Sequence, residues 1–139
     1  MGTYDGRARL IWRQSTSGDG TTLTANGNSG GFTAAAALNS AIDLRWTTDL
    51  ALMVFVAGAV SGASSLVVNL DTYDASGNLF PAVMSTAAIT ATGTGKTAYG
   101  GLYSGGASQI VFPEWGRVSW VLTGATPSFA GVEISLYGR

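Results

Sequence analysis

The only lysine in the chain, Lys96, stands in Gly93-Thr94-Gly95-Lys96-Thr97. A GxxxxGK[ST] loop cradles phosphates on backbone N–H groups ahead of a helix, and its lysine reaches the terminal phosphates. That chemistry needs a glycine where Thr90 stands, and a helix where Ala98-Tyr99-Gly100-Gly101 breaks one, so nucleotide binding is not expected. Asp71, Asp74, Ser76 and Asn78 supply oxygen ligands in the manner of a calcium loop, but no bidentate glutamate follows at the required offset. Asx residues with glycine in a tight turn account for the same run without a metal.

There is no histidine and no cysteine. A Ser-His-Asp triad, a thiol nucleophile, a disulfide and a thiolate metal site are therefore impossible. A zinc site would have to be built from carboxylates alone. Among the 8 acidic residues nothing marks a convergent pair for glycoside hydrolysis. The expectation is a protein that is not an enzyme and uses no cofactor and no metal.

Aromatic and basic side chains remain as candidates for recognition. Trp46, Tyr99, Tyr103 and Trp115 could stack on sugar rings or anchor an interface. Trp12 and Trp120 are expected to help fill the core. Alternation over residues 7–13 puts Arg7, Arg9, Ile11 and Arg13 on one face and Ala8, Leu10 and Trp12 on the other. The arginine face is either solvated or set against an acidic partner.

The elements that position these residues read as strands. The chain has 139 residues, which suits one domain with a substantial core. Only 11% of residues are charged, and polarity comes instead from Ser, Thr, Asn and 20 Gly. With a net charge of -1, no global field attracts nucleic acid or an anionic membrane. A surface this poor in charge resists association weakly, which points to a covered working state. Neither a signal-peptide h-region nor a bilayer-length apolar run is visible, so synthesis in a cytoplasm is expected.

Residues 50–60 are apolar on both faces. Leu50, Leu52, Val54, Val56 and Val60 alternate with Ala51, Met53, Phe55, Ala57 and Ala59, so cover on both sides is expected. Further strands are expected over residues 40–46, 65–73, 87–92, 109–112, 117–122 and 128–137. In the last, Ala130, Val132, Ile134 and Leu136 should point inward and Phe129, Glu133 and Tyr137 outward. Pro81 suits an edge strand or a strand end. Residues 14–31 and 93–106, rich in glycine and small polar residues, read as excursions. The first is expected to be an arm that orders on a neighbouring subunit. The fold class is therefore all-β: an antiparallel two-sheet β-sandwich with an extended N-terminal arm. Residues 1–31 form the first strand and arm, and residues 32–139 form the sandwich.

The chain also repeats itself. Val60-Ser61-Gly62-Ala63-Ser64-Ser65 is echoed by Leu122-Thr123-Gly124-Ala125-Thr126-Pro127, and each phrase reads as a hairpin loop between strands. Four phrases in order carry a resemblance: Ala59-Val60-Ser61-Gly62-Ala63-Ser64, Asp74-Ala75-Ser76-Gly77-Asn78, Arg117-Val118-Ser119-Trp120 and Gly124-Ala125-Thr126-Pro127-Ser128. In this order they resemble the capsid decoration, or cement, proteins of tailed bacteriophages, which are small β-sandwiches. The resemblance spans roughly residue 50 to the C-terminus. It implies a non-enzymatic structural virion protein on the outer capsid surface, made in the host cytoplasm, bound to the major capsid protein and homo-oligomeric, a trimer being favoured. Arg7, Arg9, Trp12, Arg13, Tyr103 and Trp115 are the expected partner-interface residues. The alternative is a tail or baseplate domain that binds carbohydrate.

Overall fold

The structure, a computed structural model, describes residues 7–14, 20–30, 41–101 and 110–139. Within them the chain is all-β. Sheet A has the order β1 (Arg9–Arg13), β10 (Phe129–Gly138), β5 (Asp49–Val56), β8 (Thr94–Gly101), with β2 (Thr21–Leu23) also on β10. Sheet B has the order β3 (Gly27–Asn28), β9 (Trp115–Thr123), β6 (Ser65–Tyr73), β7 (Leu79–Ser85), with β4 (Ile42–Asp43) also on β9. All pairings are antiparallel.

Period-two alternation in the four long central strands builds the core. Leu50, Leu52, Val54 and Val56 of β5 and Val132, Ile134 and Leu136 of β10 face Leu66, Val68 and Leu70 of β6 and Val118, Trp120 and Leu122 of β9, and all are buried. Burying each such side chain contributes about 1.5–3 kcal/mol, so this inter-sheet layer is the main stabilising feature. Trp120 belongs to it, as expected.

The echoed phrases are not hairpin loops. β5 lies in sheet A and β6 in sheet B, so residues 57–64 arch between the sheets. β9 lies in sheet B and β10 in sheet A, so residues 124–128 arch back. Each phrase does join two strands, as expected, but strands of different sheets. The hairpin at Asp74-Ala75-Ser76-Gly77-Asn78 does join paired strands, β6 and β7. The Asp74 carboxylate accepts the backbone N–H groups of Ser76 and Asn78, each at 2.9 Å, and the Asn78 side-chain amide at 2.8 Å.

Several elements depart from simple alternation. Phe129 was expected outward but is fully buried: the register slips between Phe129 and Val132, where Gly131 takes φ 62, and the bulge turns Phe129 into the core. β4 stops after Asp43, because the Asp43 carboxylate accepts the backbone N–H of Arg45 at 3.0 Å and turns the chain. Ile42 and Leu44 stay buried, while Trp46, expected on their face, is 82% exposed. Residues 87–92 contribute an isolated bridge, Ile89 to Leu66, rather than a strand, and Ile110 to Phe112 are not in one.

Two stretches read as excursions are built into the sheets. β8 pairs with β5 along its whole length, from Asp49 opposite Gly101 to Val56 opposite Thr94. Gly95, Lys96 and Thr97 thus lie within a strand. Residues 20–30, expected in an arm ordered only on a neighbour, cross from sheet A to sheet B. β2 pairs with β10, Leu23 enters the core, and β3 pairs with β9. The division at residue 31 therefore does not separate an arm from a sandwich, because β1, β2 and β3 belong to the two sheets. Residues 15–19 and 31 of that stretch lie outside the described residues.

Candidate partner-binding surface

The arginine stripe expected on the first strand does not form. The register of β1 slips between Leu10 and Trp12, so Arg9 lies opposite Gly138 while Arg13 lies opposite Ser135. Gly138 has inward parity on β10 and Ser135 outward, which places Arg9 and Arg13 on opposite sides of the sheet. Ile11 and Trp12 both pack against the core as a result, whereas Leu10 is exposed. Arg13 is ion-paired with Glu133 at 3.5 Å, and Arg7 and Arg9 are exposed. Tyr103 lies outside the described residues.

Trp115 is not an open platform. It is buried with Tyr73 and Ala41, and the Arg45 guanidinium lies 4.8 Å from its ring centroid. Arg45 is held there by Asp43, whose carboxylate accepts from its Nε at 3.0 Å and its NH2 group at 2.9 Å. These hydrogen bonds from Arg45 bring the Asp43 carboxyl down to about 2. Of the other proposed sugar-stacking aromatics, Trp46 and Tyr99 are exposed, but they belong to different elements, the turn after β4 and edge strand β8.

The outer face of sheet A carries several exposed apolar side chains. Strand register sets it out in rows. Leu10, Tyr137, Ala51 and Tyr99 lie side by side across β1, β10, β5 and β8. Arg13, Ser135, Met53 and Thr97 form the next row, followed by Glu133, Phe55 and Gly95. Met53 is 42% exposed, Phe55 43% and Tyr99 70%. A side chain at Gly95 would meet the Phe55 ring at 3.1 Å, so the glycine gives that ring its room. Phe55, Met53, Lys96 and Glu133 border a shallow depression of about 190 Å³. Two of the ion pairs lie here, Arg13 with Glu133 and Asp49 with Arg139, and Lys96 adds one positive charge beside the depression. Met53 and Phe55 are the residues whose outward alternation called for cover, and among the described residues that cover is incomplete.

The outer face of sheet B has a different chemistry. Asn28, Ser119, Asn69 and Ser85 lie in one row across its strands. Beside them Asp71, 2% exposed, accepts the Arg117 Nε and the Ala82 N–H, each at 2.8 Å. Ala82 holds φ at 54 on edge strand β7, where the register slips opposite residues 70–72. Sequence spacing gave no sign of this ion pair, since Asp71 and Arg117 meet only through the β6–β9 register.

Comparison of the chain with protein families, with curated proteins and with solved structures gave no match.

Proposed function

We propose that this protein is a structural virion component that binds the outer surface of a bacteriophage capsid and stabilises it, with the outer face of sheet A as its docking surface. The observation that carries the reading is the exposed apolar face bearing Met53, Phe55 and Tyr99 on a protein with so few charges. Contiguous exposed apolar surface of this kind marks an interaction site, and paired charges add little desolvation cost at its rim. The ordered phrases that resemble those of phage decoration proteins support the major capsid protein as the class of partner. Many copies on a symmetric shell, with trimers favoured, would turn a modest contact into firm attachment.

Sedimentation of the purified protein with undecorated capsids tests the proposal. The wild-type chain should pellet at high copy number and raise the temperature at which the shells rupture. A Met53→Asp/Phe55→Asp double variant should stay folded, because both side chains are already part-exposed, yet bind at least about tenfold more weakly. Equal binding by the variant would exclude sheet A as the docking face, and failure of the wild type to bind any tailed-phage shell would remove the proposal itself.

A further inference from the structure

On sheet B, facing away from the core, a groove of about 330 Å³ is lined by residues of β3, β6, β7 and β9. Its polar lining includes Asn26, Asn28, Asn69, Asp71, Arg117 and Ser119. The three asparagines are oriented by bonds to their own chain. The Asn26 side-chain oxygen accepts the Leu122 N–H at 2.8 Å, and that of Asn28 accepts the Gly30 N–H at 2.9 Å. A backbone N–H can only donate, so in both the oxygen is committed and the NH2 is left over. The Asn69 oxygen accepts the Ser85 hydroxyl at 2.6 Å. Among the described residues none of the three NH2 groups has a protein acceptor.

The Asp71 carboxylate is committed as well, one oxygen to Ala82 N–H and the other to Arg117. The groove is therefore rich in oriented donors and formally neutral, with the Ser119 hydroxyl able to donate or accept. Its wall includes Ala82, an L-residue held in the left-handed region, where strain persists only if the surroundings enforce it. Its apolar part is Val121, 40% exposed; Trp120 also borders it but is buried in the core, its indole taking the room that Gly27, without a side chain, leaves.

We propose that this groove binds a neutral saccharide. Hydroxyl and ring oxygens would accept from the amides, and a sugar C–H face would rest on Val121. An anion is disfavoured because the single cation in the lining is neutralised by Asp71. An extended peptide gains affinity by pairing with a sheet edge, and here it would find one only in β3 and β7 at the groove's margins, because on β6 and β9 the backbone groups are spent in the ladder. Donors already locked in place lose little freedom on binding. The groove lies on the opposite sheet from the docking face, so this proposal stands or falls independently of the capsid reading.

The test follows the side-chain amide resonances of Asn26, Asn28 and Asn69 while the intact protein is titrated, to millimolar concentration, with neutral oligosaccharides. The probes are oligomers of glucose, galactose, mannose and N-acetylglucosamine, with heparin fragments as the anionic arm. At least one neutral oligomer should shift all three amides. Asn28→Asp and Asn26→Asp keep an oxygen that accepts the backbone N–H, and replace the NH2 donor by a charged acceptor, so they should melt close to wild type while losing about tenfold or more in affinity for a neutral sugar. The proposal is overturned if no neutral oligomer shifts these resonances, if both variants bind as wild type does, or if only heparin binds and salt abolishes it.

Discussion

The Ser61 hydroxyl donates to the Thr126 carbonyl at 2.8 Å, joining the two echoed phrases side by side. Ser61 N–H donates to the Ser128 carbonyl at 3.0 Å, Val60 bridges Phe129, and the Ser65 and Thr123 hydroxyls are hydrogen-bonded to each other. β5 pairs with β10 and β6 with β9, so the repeat is two arches clasped antiparallel, each running between the same two sheets in opposite directions. The arches are not equivalent. A side chain at Gly124, with φ 133, would lie 2.7 Å from the Ser64 hydroxyl, whereas one at Gly62, with φ 53, would meet nothing within 4 Å. Gly124→Ala should therefore destabilise by about 2–4 kcal/mol and Gly62→Ala by about 1 kcal/mol, from backbone strain alone. Urea unfolding of the two variants checks the order, and equal costs would mean that the arches do not pack as described.

Much of the fold was legible because the four central strands alternate cleanly, and the Asp74 turn and the Pro81 edge follow from local chemistry. What was not legible depends on partners distant in sequence. β8 carries glycines that lower its strand propensity, but Gly100 is small because Met84 and Ile110 fill the space above it. Residues 20–30 look like solvent-exposed loop because they are polar, yet Asn26 and Ser29 use that polarity on the backbone of β9, accepting the N–H groups of Leu122 and Val118. Of the expected interface residues, Trp115 was misleading for a similar reason. Its own sequence neighbourhood does not reveal that Arg45 covers it. The apolar outward face of β5 was visible in the alternation, whereas the three oriented amides of sheet B required the register.

The Asp71–Arg117 pair should be costly to break from the acidic side. Asp71 is buried and satisfies a backbone N–H as well as a guanidinium, so Asp71→Ala orphans the Ala82 N–H and leaves Arg117 without its counter-charge. A loss of about 3–5 kcal/mol is expected. Arg117 is less buried, with a side chain 23% exposed, so a Asp71→Leu/Arg117→Met double variant should recover part of that loss. Thermal unfolding of the single and double variants measures it.

Asp43 gives the expected pH dependence. Its carboxyl lies near 2 when folded, against an ordinary value of 3.8, because Arg45 hydrogen-bonds the charged form. A depressed folded pKa stabilises above the unfolded value, and that stability is lost as pH falls through the folded one. Stability from this contact should thus decline between about pH 4 and pH 2. Carbon-detected titration of the Asp43 carboxyl should give a midpoint near the lower value. Arg45→Ala should return it towards the ordinary range and increase solvent access to the Trp115 indole, read as a red shift in its fluorescence.

Leu23 decides whether the segment carrying β2 and β3 is an arm or part of the sandwich. It is 5% exposed and packs in the inter-sheet core, and the residues after it hold the edge of β9 through Asn26 and Ser29. A free arm would give up nothing on truncation of its one apolar side chain. An integral segment should lose the transfer energy of the side chain and the cost of the cavity, about 2–4 kcal/mol for Leu23→Ala. Loosening of β3 should also expose the amides it covers. Hydrogen exchange at Val118 and Leu122 should therefore quicken in the variant well before global unfolding, while the amides in the β5–β10 ladder keep their protection. If stability is unchanged and the exchange pattern is that of wild type, these residues are an arm after all.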